Sequence, residues 1–404
     1  MYLSSKEERT LQGEEGEALS FAMKILVNLG DLEGAEGLIP VTSAHVSGVS
    51  YHTAGEALIK LLEELNEKGA KVSIPSSLNP AGMDLRRWKE IGYPDDFAEK
   101  QLRIIDLYKG LGLNMTCSCI PYETPDIVLP VGLGDHISWG ESNAVIYANS
   151  MIGARTNREG GISCLASAIL GKTPNWGMHL DENRAPDLEV RVKGEMEPIH
   201  YDLLGAYVGK NFNSSIPVFN GVRIDSDNGS LKHLGAAMAA KGGIPLYHVD
   251  GLTPEMTKGL VDKDGIDERI DVSAFGLWKM KKELYPDPEK EVNTYVLGCP
   301  QFGRAEFARL HAAMKGKKVK KGKRILVYTS RGLRNLLPEG RVEDLENAGI
   351  EVYDDTCMVV SPLARLGMER VGTDSGKAAH YIPKMSGIEA ELVPLEVIVD
   401  RCTK

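Results

Sequence analysis

Apolar residues recur at helical spacing near the start of the chain. Ala18, Phe21, Ala22, Ile25 and Leu29 share one face of a segment predicted to run as helix from Glu14 to Leu29 and to stop at Gly30. Ahead of it, Ser5-Lys6-Glu7-Glu8 has the composition of a capping box, so the chain is expected to open with helix. The pattern then alternates between short apolar runs and amphipathic stretches. Leu38 to Val41 reads as a buried strand, Ser43 to Ser50 as a Ser/Gly-rich turn, and Thr53 to Lys68 as an amphipathic helix. Lys71 to Pro75 reads as a second strand and Ser76 to Gly82 as a loop, with helical segments continuing to about Lys109.

After a β-like run ending at Cys117, Ser138 to Asn143 reads as a loop opening a helix toward Met151. Gly160 to Leu170 reads as a small-residue helix, and Leu188, Val190 and Val192 alternate as a strand before a helix reaching Lys210. Residues 251 to 290 are charged and weakly patterned, and Tyr285-Pro286-Asp287-Pro288 marks a boundary. Beyond it the pattern becomes regular. Thr294 to Leu297, Arg324 to Thr329 and Glu351 to Tyr353 are expected strands, with helices at Ala305 to Met314, Leu333 to Ala348 and near Leu395. Strands alternating with helices predict an α/β chain with parallel-rich sheets flanked by helices. Two regions are expected: 1–290, holding two subdomains, and 291–404, a doubly wound domain.

With 404 residues there is room for such regions and a large buried core. The net charge of -10 argues against a surface organised around nucleic acid or anionic lipid, and the one basic run, Lys315 to Arg324, reads as a solvated turn. The first residues are charged and no run approaches the length of a membrane span, so a cytoplasmic protein is expected. Glutamine is scarce, at Gln12, Gln101 and Gln301 alone.

Composition changes the picture most through cysteine. Cys117, Cys299 and Cys357 each lie where a strand is expected to end, which suggests one metal site built from three segments. Thiolates ligate iron–sulfur clusters, and separations this long exclude the close-packed ferredoxin pattern. Three ligands leave one iron open to act on a substrate hydroxyl. A buried cysteine is also simply a small apolar residue. Cys119 competes with Cys117, since alternate residues of a strand face the same way, whereas Cys164 and Cys402 read as structural.

Other loops could hold anions. Ser47 to Ser50 and Ser76 to Pro80 bring hydroxyls and backbone donors to helix starts, although Ser/Asn turns there are commonly caps. Gly372 to Lys377 is one residue short of a P-loop and lacks its Ser/Thr, which leaves Lys377 as an anion clamp. The histidines lack the spacing of a zinc hydrolase; His45, His52, His136 and His380 read as local hydrogen-bonding residues. Cys117 with His136 could also form a thiol nucleophile and base.

Taken together, Pro40-Val-Thr-Ser-Ala-His45-Val-Ser-Gly48-Val49-Ser50, Ser77-Leu-Asn79-Pro80-Ala-Gly-Met-Asp84, Cys117, Gly140-Glu-Ser-Asn143, Gly298-Cys299-Pro300 and Gly376-Lys377 resemble the aconitase X family along essentially the whole chain. The resemblance implies a multi-domain aconitase-like α/β fold and a hydro-lyase. Two-subunit members dehydrate (R)-5-phosphomevalonate to trans-anhydromevalonate 5-phosphate in a modified mevalonate route to isoprenoids. Single-chain members, with an extra C-terminal domain, act on cis-3-hydroxy-L-proline. It further implies an iron–sulfur cluster on Cys117, Cys299 and Cys357, 3Fe-4S as isolated or 4Fe-4S when active. The substrate pocket it implies comprises Gly48, Val49, Ser50, Asn79, Pro80, Ser138, Gly376 and Lys377. The chain lacks the CxxC pair of classical aconitases. Since it ends at Lys404, the resemblance implies a heterodimer whose small subunit brings the proton-abstracting serine, leaving no catalytic base here. A non-enzymatic metal-binding subunit is the alternative of another class.

Overall fold

The computed structural model describes residues 1–124, 131–222, 229–289 and 291–404; residue 290, the expected end of the first region, lies outside the described residues. Three wholly parallel sheets organise the described chain, and helices cover them. The five-stranded sheet runs in the order Glu351–Asp354, Arg324–Thr329, Thr294–Leu297, Arg370–Thr373 and Glu389–Leu392. Its middle is apolar without interruption: Val296, Leu297, Ile325, Leu326, Val327 and Tyr328 are all 0 % exposed. That follows from helices lying on both faces of a parallel sheet. The strands meet expectation closely, but the expected helix from Leu333 to Ala348 is two short ones, Arg331–Arg334 and Arg341–Asn347. Pro338 and Gly340, the latter at φ 79°, break it.

The four-stranded sheet orders His248–Val249, Pro217–Asn220, Leu188–Lys193 and Glu268–Ser273. The helices Pro198–Asn211 and Gly229–Gly242 pack closely across it; a Cβ on Gly205 would lie 2.2 Å from the Leu234 carbonyl oxygen. Alanine there would force the pair apart. Glu268–Ser273 and the helix Ala274–Leu284 fall within the stretch that reads as weakly patterned, because that strand buries only one of its six side chains.

The smallest sheet departs most from expectation. Its strands are Ser76–Leu78, Ala44–Val46 and Ser138–Trp139, each inside a segment read as loop. Leu38–Pro40 instead pairs antiparallel with Lys172–Pro174, and the expected strand from Lys71 to Pro75 forms none. The opening helices are Ser5–Gln12 and Glu17–Leu32; the capping box uses Ser4 with Glu7, one residue earlier than expected, and Gly30 does not end the second helix. No helix among the described residues is long and apolar enough to cross a membrane.

The carboxyl ends of the small sheet and the five-stranded sheet meet. Ala81 N donates to Asp355 O at 2.9 Å and Thr356 Oγ1 to Ala81 O at 2.9 Å, joining the loop after Ser76–Leu78 to the loop after Glu351–Asp354. From the helix Pro198–Asn211 on the four-stranded sheet, Asp202 Oδ1 accepts from Gly376 N at 2.6 Å. Ligand chemistry in parallel sheets gathers at such strand ends.

Candidate active site

Two cysteines come straight from the five-stranded sheet. Cys299 follows Thr294–Leu297 through Gly298, whose φ is 101° and where a Cβ would lie 2.3 Å from Tyr328 O, so glycine is required. Cys357 follows Glu351–Asp354. Both are buried and free, and their thiols hydrogen-bond to each other. That bond raises the Cys299 thiol, with burial adding to it, and lowers Cys357.

The third thiol in electrostatic reach of this pair belongs to Cys119, not Cys117. Cys119 Sγ accepts from Gln301 N at 3.2 Å, and Asn143 Nδ2 donates to Cys119 O at 2.7 Å. Burial, then Glu141 and Cys357, push its thiol up. Cys117 instead faces Asp355 and Arg331 and packs in the core of the small-sheet region. The expectation that 117 and 119 face alike assumed a strand. Cys117 has φ 45°, a left-handed kink that breaks the alternation, so the two side chains diverge.

Beside the thiols lies a buried ion pair, Lys377 Nζ with Glu141 Oε1. Burial opposes the charge on Lys377, but Glu141, Cys299 and Cys119 hold its pKa above the usual lysine value. Burial likewise opposes the Glu141 charge, and Lys377 outweighs it and draws the carboxyl down to about 2. Asn79 Nδ2 donates to Glu141 Oε2 at 2.8 Å, and Glu141 caps the helix Ser142–Tyr147. Lys377 lies in the first turn of Gly376–Ser386, where Ser375 Oγ donates to Cys299 O and to this extent ties the helix start to the thiol loop.

On the small sheet, His45 is level with Ser77 and Trp139, and its Nδ1 is 2.7 Å from Ser77 Oγ. Burial lowers its pKa to about 4, so the ring is neutral at pH 7. His45 Nε2 and Asn79 Oδ1 are buried near one another, and neither meets a well-aligned hydrogen-bond partner among the described residues, which departs from the usual pairing of buried polar groups. They mark where a polar ligand gains most. A histidine kept neutral by folding binds a proton in the unfolded chain first, so stability is expected to fall as pH drops from 6.5 to about 4. His45 alone accounts for about 3 kcal/mol of that fall, at ~1.4 kcal/mol per pKa unit. Urea unfolding at pH 7 and 4.5 checks this: His45→Gln should show a flatter dependence than the parent chain.

The other expected pocket residues divide. Asn79 and Lys377 enter the site. Gly48 (φ 76°), Val49 and Ser50 form the loop beside it; Ser50 Oγ donates to Val360 O at 2.7 Å, bracing the segment after Cys357. Pro80 is buried next to Asn79, and Gly376 N is held by Asp202. Ser138 lies on the opposite face of its strand, beside the Cys164 thiol, which also donates to Ser138 O at 2.9 Å. His136 pairs with His179, Nδ1 to Nδ1 at 3.0 Å, and so forms no base for Cys117. Sequence reasoning left Cys119 as a competitor of Cys117 and read His45 as a local hydrogen-bonding residue; it passed over Glu141 and Gln301. Glu141 had a signal, its place within Gly140-Glu-Ser-Asn143 at a helix start.

Models of the aconitase X family match most of the chain: the first domain at residues 1–182, the second at 186–280 and the third at 292–404. The phosphomevalonate dehydratase large subunit of Methanosarcina mazei is 42% identical, over 100% of this chain and 97% of that protein. The corresponding subunit of Methanothermobacter thermautotrophicus is 43% identical, over 96% of each. The cis-3-hydroxy-L-proline dehydratase of Pseudomonas aeruginosa is 32% identical over 98% of this chain but only 69% of its own length. The crystal structure of Thermococcus kodakaraensis aconitase X in its holo-form superposes with a TM-score of 0.89, at 40% identity and with both chains wholly covered. The chain belongs to the aconitase X family.

Proposed function

We propose that this chain is the large subunit of a hydro-lyase that removes water from (R)-5-phosphomevalonate to give trans-anhydromevalonate 5-phosphate. The observation that carries the reading is the gathering of three buried free thiols around the Lys377–Glu141 pair at the meeting of two parallel sheets. The large-subunit relatives, matched over nearly their full length, support it.

The donor set suits an iron–sulfur cluster. Three buried free thiols, Cys299 and Cys357 in hydrogen-bond contact and Cys119 within electrostatic reach of them, stand beside the Lys377 ammonium, which eases the thiolate charge that iron–sulfur ligation requires. Cys119, Cys299 and Cys357 would hold it, and when bound it supplies Lewis acidity for the departing hydroxyl. The rest falls to the protein. Dehydration takes a proton from C2 and hydroxide from C3, and negative charge builds at the carboxylate end as the C–H bond breaks. The Lys377 ammonium answers that charge inside a dry site, where a preoriented cation acts at full strength. Asn79 and neutral His45 offer polar atoms that orient the substrate. The base that takes the proton belongs to a small subunit in this reading.

A phosphorylated substrate is favoured over hydroxyproline by cations along the helix that starts at Lys377. One helical turn beyond Lys377, Tyr381 OH accepts from Arg158 Nη2 at 3.4 Å. Lys241 and Lys384 stand close enough to lower His380 to about 4, after burial. Arg158, Lys241 and Lys384 have no carboxylate partner among the described residues, on a chain of net charge -10. Cations without a carboxylate partner suit a phosphate.

The test is anaerobic reconstitution with the small subunit, followed by dehydration assays. Turnover of phosphomevalonate and none of cis-3-hydroxy-L-proline is expected, and the reverse preference overturns the reading. Arg158→Ala should raise KM for phosphomevalonate about tenfold, the worth of one charge-assisted contact, with kcat within about twofold.

A further inference from the structure

We infer that Gln301 is the positioning residue that turns Cys119, rather than Cys117, toward Cys299 and Cys357; its importance for a cluster rests on the function proposed above. The side chain is 0 % exposed. Its Oε1 accepts from Cys119 N at 3.1 Å, while its backbone N donates to Cys119 Sγ at 3.2 Å, a reciprocal pair of bonds. Its Nε2 donates to Cys117 O at 3.2 Å, Thr329 O at 3.0 Å and Thr356 O at 3.0 Å. Cys299 lies two residues before it and Thr356 immediately precedes Cys357. One amide therefore binds all three cysteine segments.

The chemistry demands an amide of this length. The three carbonyls belong to buried loop backbone, whose oxygens need donors, and the Cys119 N–H needs an acceptor. Only a group with donors and an acceptor on one planar head meets both needs; a carboxylate lacks the donors, and a thioether has no donor and only a weak acceptor. By gripping Cys117 O and Cys119 N together, Gln301 holds the turn in which Cys117 takes φ 45° and Cys119 swings to the opposite side. Gln101 does comparable work on the loop beside the site. It is also 0 % exposed, donates to Val49 O at 3.1 Å and accepts from Tyr51 N and Gly82 N, each at 3.0 Å. Two of the three glutamines in the chain are thus buried where loops must be tied together.

Gln301→Glu and Gln301→Met in the full-length chain, assembled with the small subunit, test the inference. The first readout is thiol alkylation by N-ethylmaleimide in anaerobic, iron-free protein, resolved residue by residue by mass spectrometry. Cys119 is expected to react about tenfold faster than in the parent chain, the scale of one lost hydrogen bond, with Cys164 and Cys402 unchanged. The second readout is iron and acid-labile sulfide retained after reconstitution, expected to decay at least about tenfold faster. Parent-like alkylation and parent-like iron retention in both variants overturn the inference. So does a uniform rise at all six cysteines, which marks general unfolding instead of a local turn released. The alkylation pattern needs neither iron nor substrate, so it judges Gln301 even if the dehydration assay fails.

Discussion

Serine at position 119 is expected to reduce bound iron and acid-labile sulfide at least tenfold, while serine at position 117 leaves both near the parent level. The asymmetry follows from where the two thiols face. Cys119 stands in the field of Cys299, Cys357 and Lys377, whereas Cys117 faces Asp355 and Arg331 from the other side of a left-handed turn. A hydroxyl at 119 keeps the shape but gives up the soft, readily ionised sulfur that iron–sulfur ligation uses. At 117 the same exchange only puts a small polar group into a packed interior, which costs about 1–2 kcal/mol and leaves the ligand set intact. Visible absorbance with iron and sulfide assays on each reconstituted variant decides the matter. Loss on Cys117→Ser and retention on Cys119→Ser would restore the set implied by the family resemblance.

Lys377→Met is expected to lower kcat by about 10² to 10³ and to destabilise the chain by about 3–5 kcal/mol. The kinetic loss is that of one preoriented charge facing the developing negative charge. The stability loss has a different origin. Removing the ammonium strands Glu141, whose side chain is only 12 % exposed, as an uncompensated carboxylate, and breaking such a largely buried pair from one side costs that much. The two effects separate in the double variant: Lys377→Met with Glu141→Gln should recover most of the stability and none of the rate. The pH dependence has a definite sign. Glu141 titrates near 2 when folded against an ordinary value of 4.5, so the pair's contribution is complete above about pH 4.5 and is lost as pH falls toward 2. Lys377→Met should lack that share of acid lability. Equal recovery of rate and stability in the double variant would show that Lys377 serves the fold and not the reaction.

The fold was most legible where side chains serve packing alone. Thr294–Leu297 and Arg324–Thr329 appear at their expected positions because helices cover both sheet faces and every inward residue is apolar. It was least legible in the small sheet. Ala44–Val46, Ser76–Leu78 and Ser138–Trp139 are strands made of serine, histidine and tryptophan as much as of aliphatic residues. His45 and Ser77 hydrogen-bond one another across the register, so the polar groups that hide the β pattern are satisfied only once the strands are paired. Local propensity reads such segments as turns, and pairing overrides it. The neighbouring run at 71 drew its expected strand ahead of Ser76–Leu78 for the same reason, while the run at 38 does form a strand, Leu38–Pro40, in another pairing.

Taken alone, the sequence determined which residue types were available: a parallel-rich α/β chain, cysteines at strand ends, Asn79 and Lys377 at loop-to-helix junctions, and an acidic, span-free character. Those properties depend on composition and on spacing along the chain, which short-range physics reads directly. Only the tertiary structure decided that Cys119 and not Cys117 joins Cys299 and Cys357, that Lys377 is matched by Glu141 from 236 residues away, and that Ser138 turns its hydroxyl toward Cys164. Each of these depends on which face a side chain takes. One left-handed residue, held by a glutamine from a distant loop, reverses that face without leaving any periodic mark in the sequence.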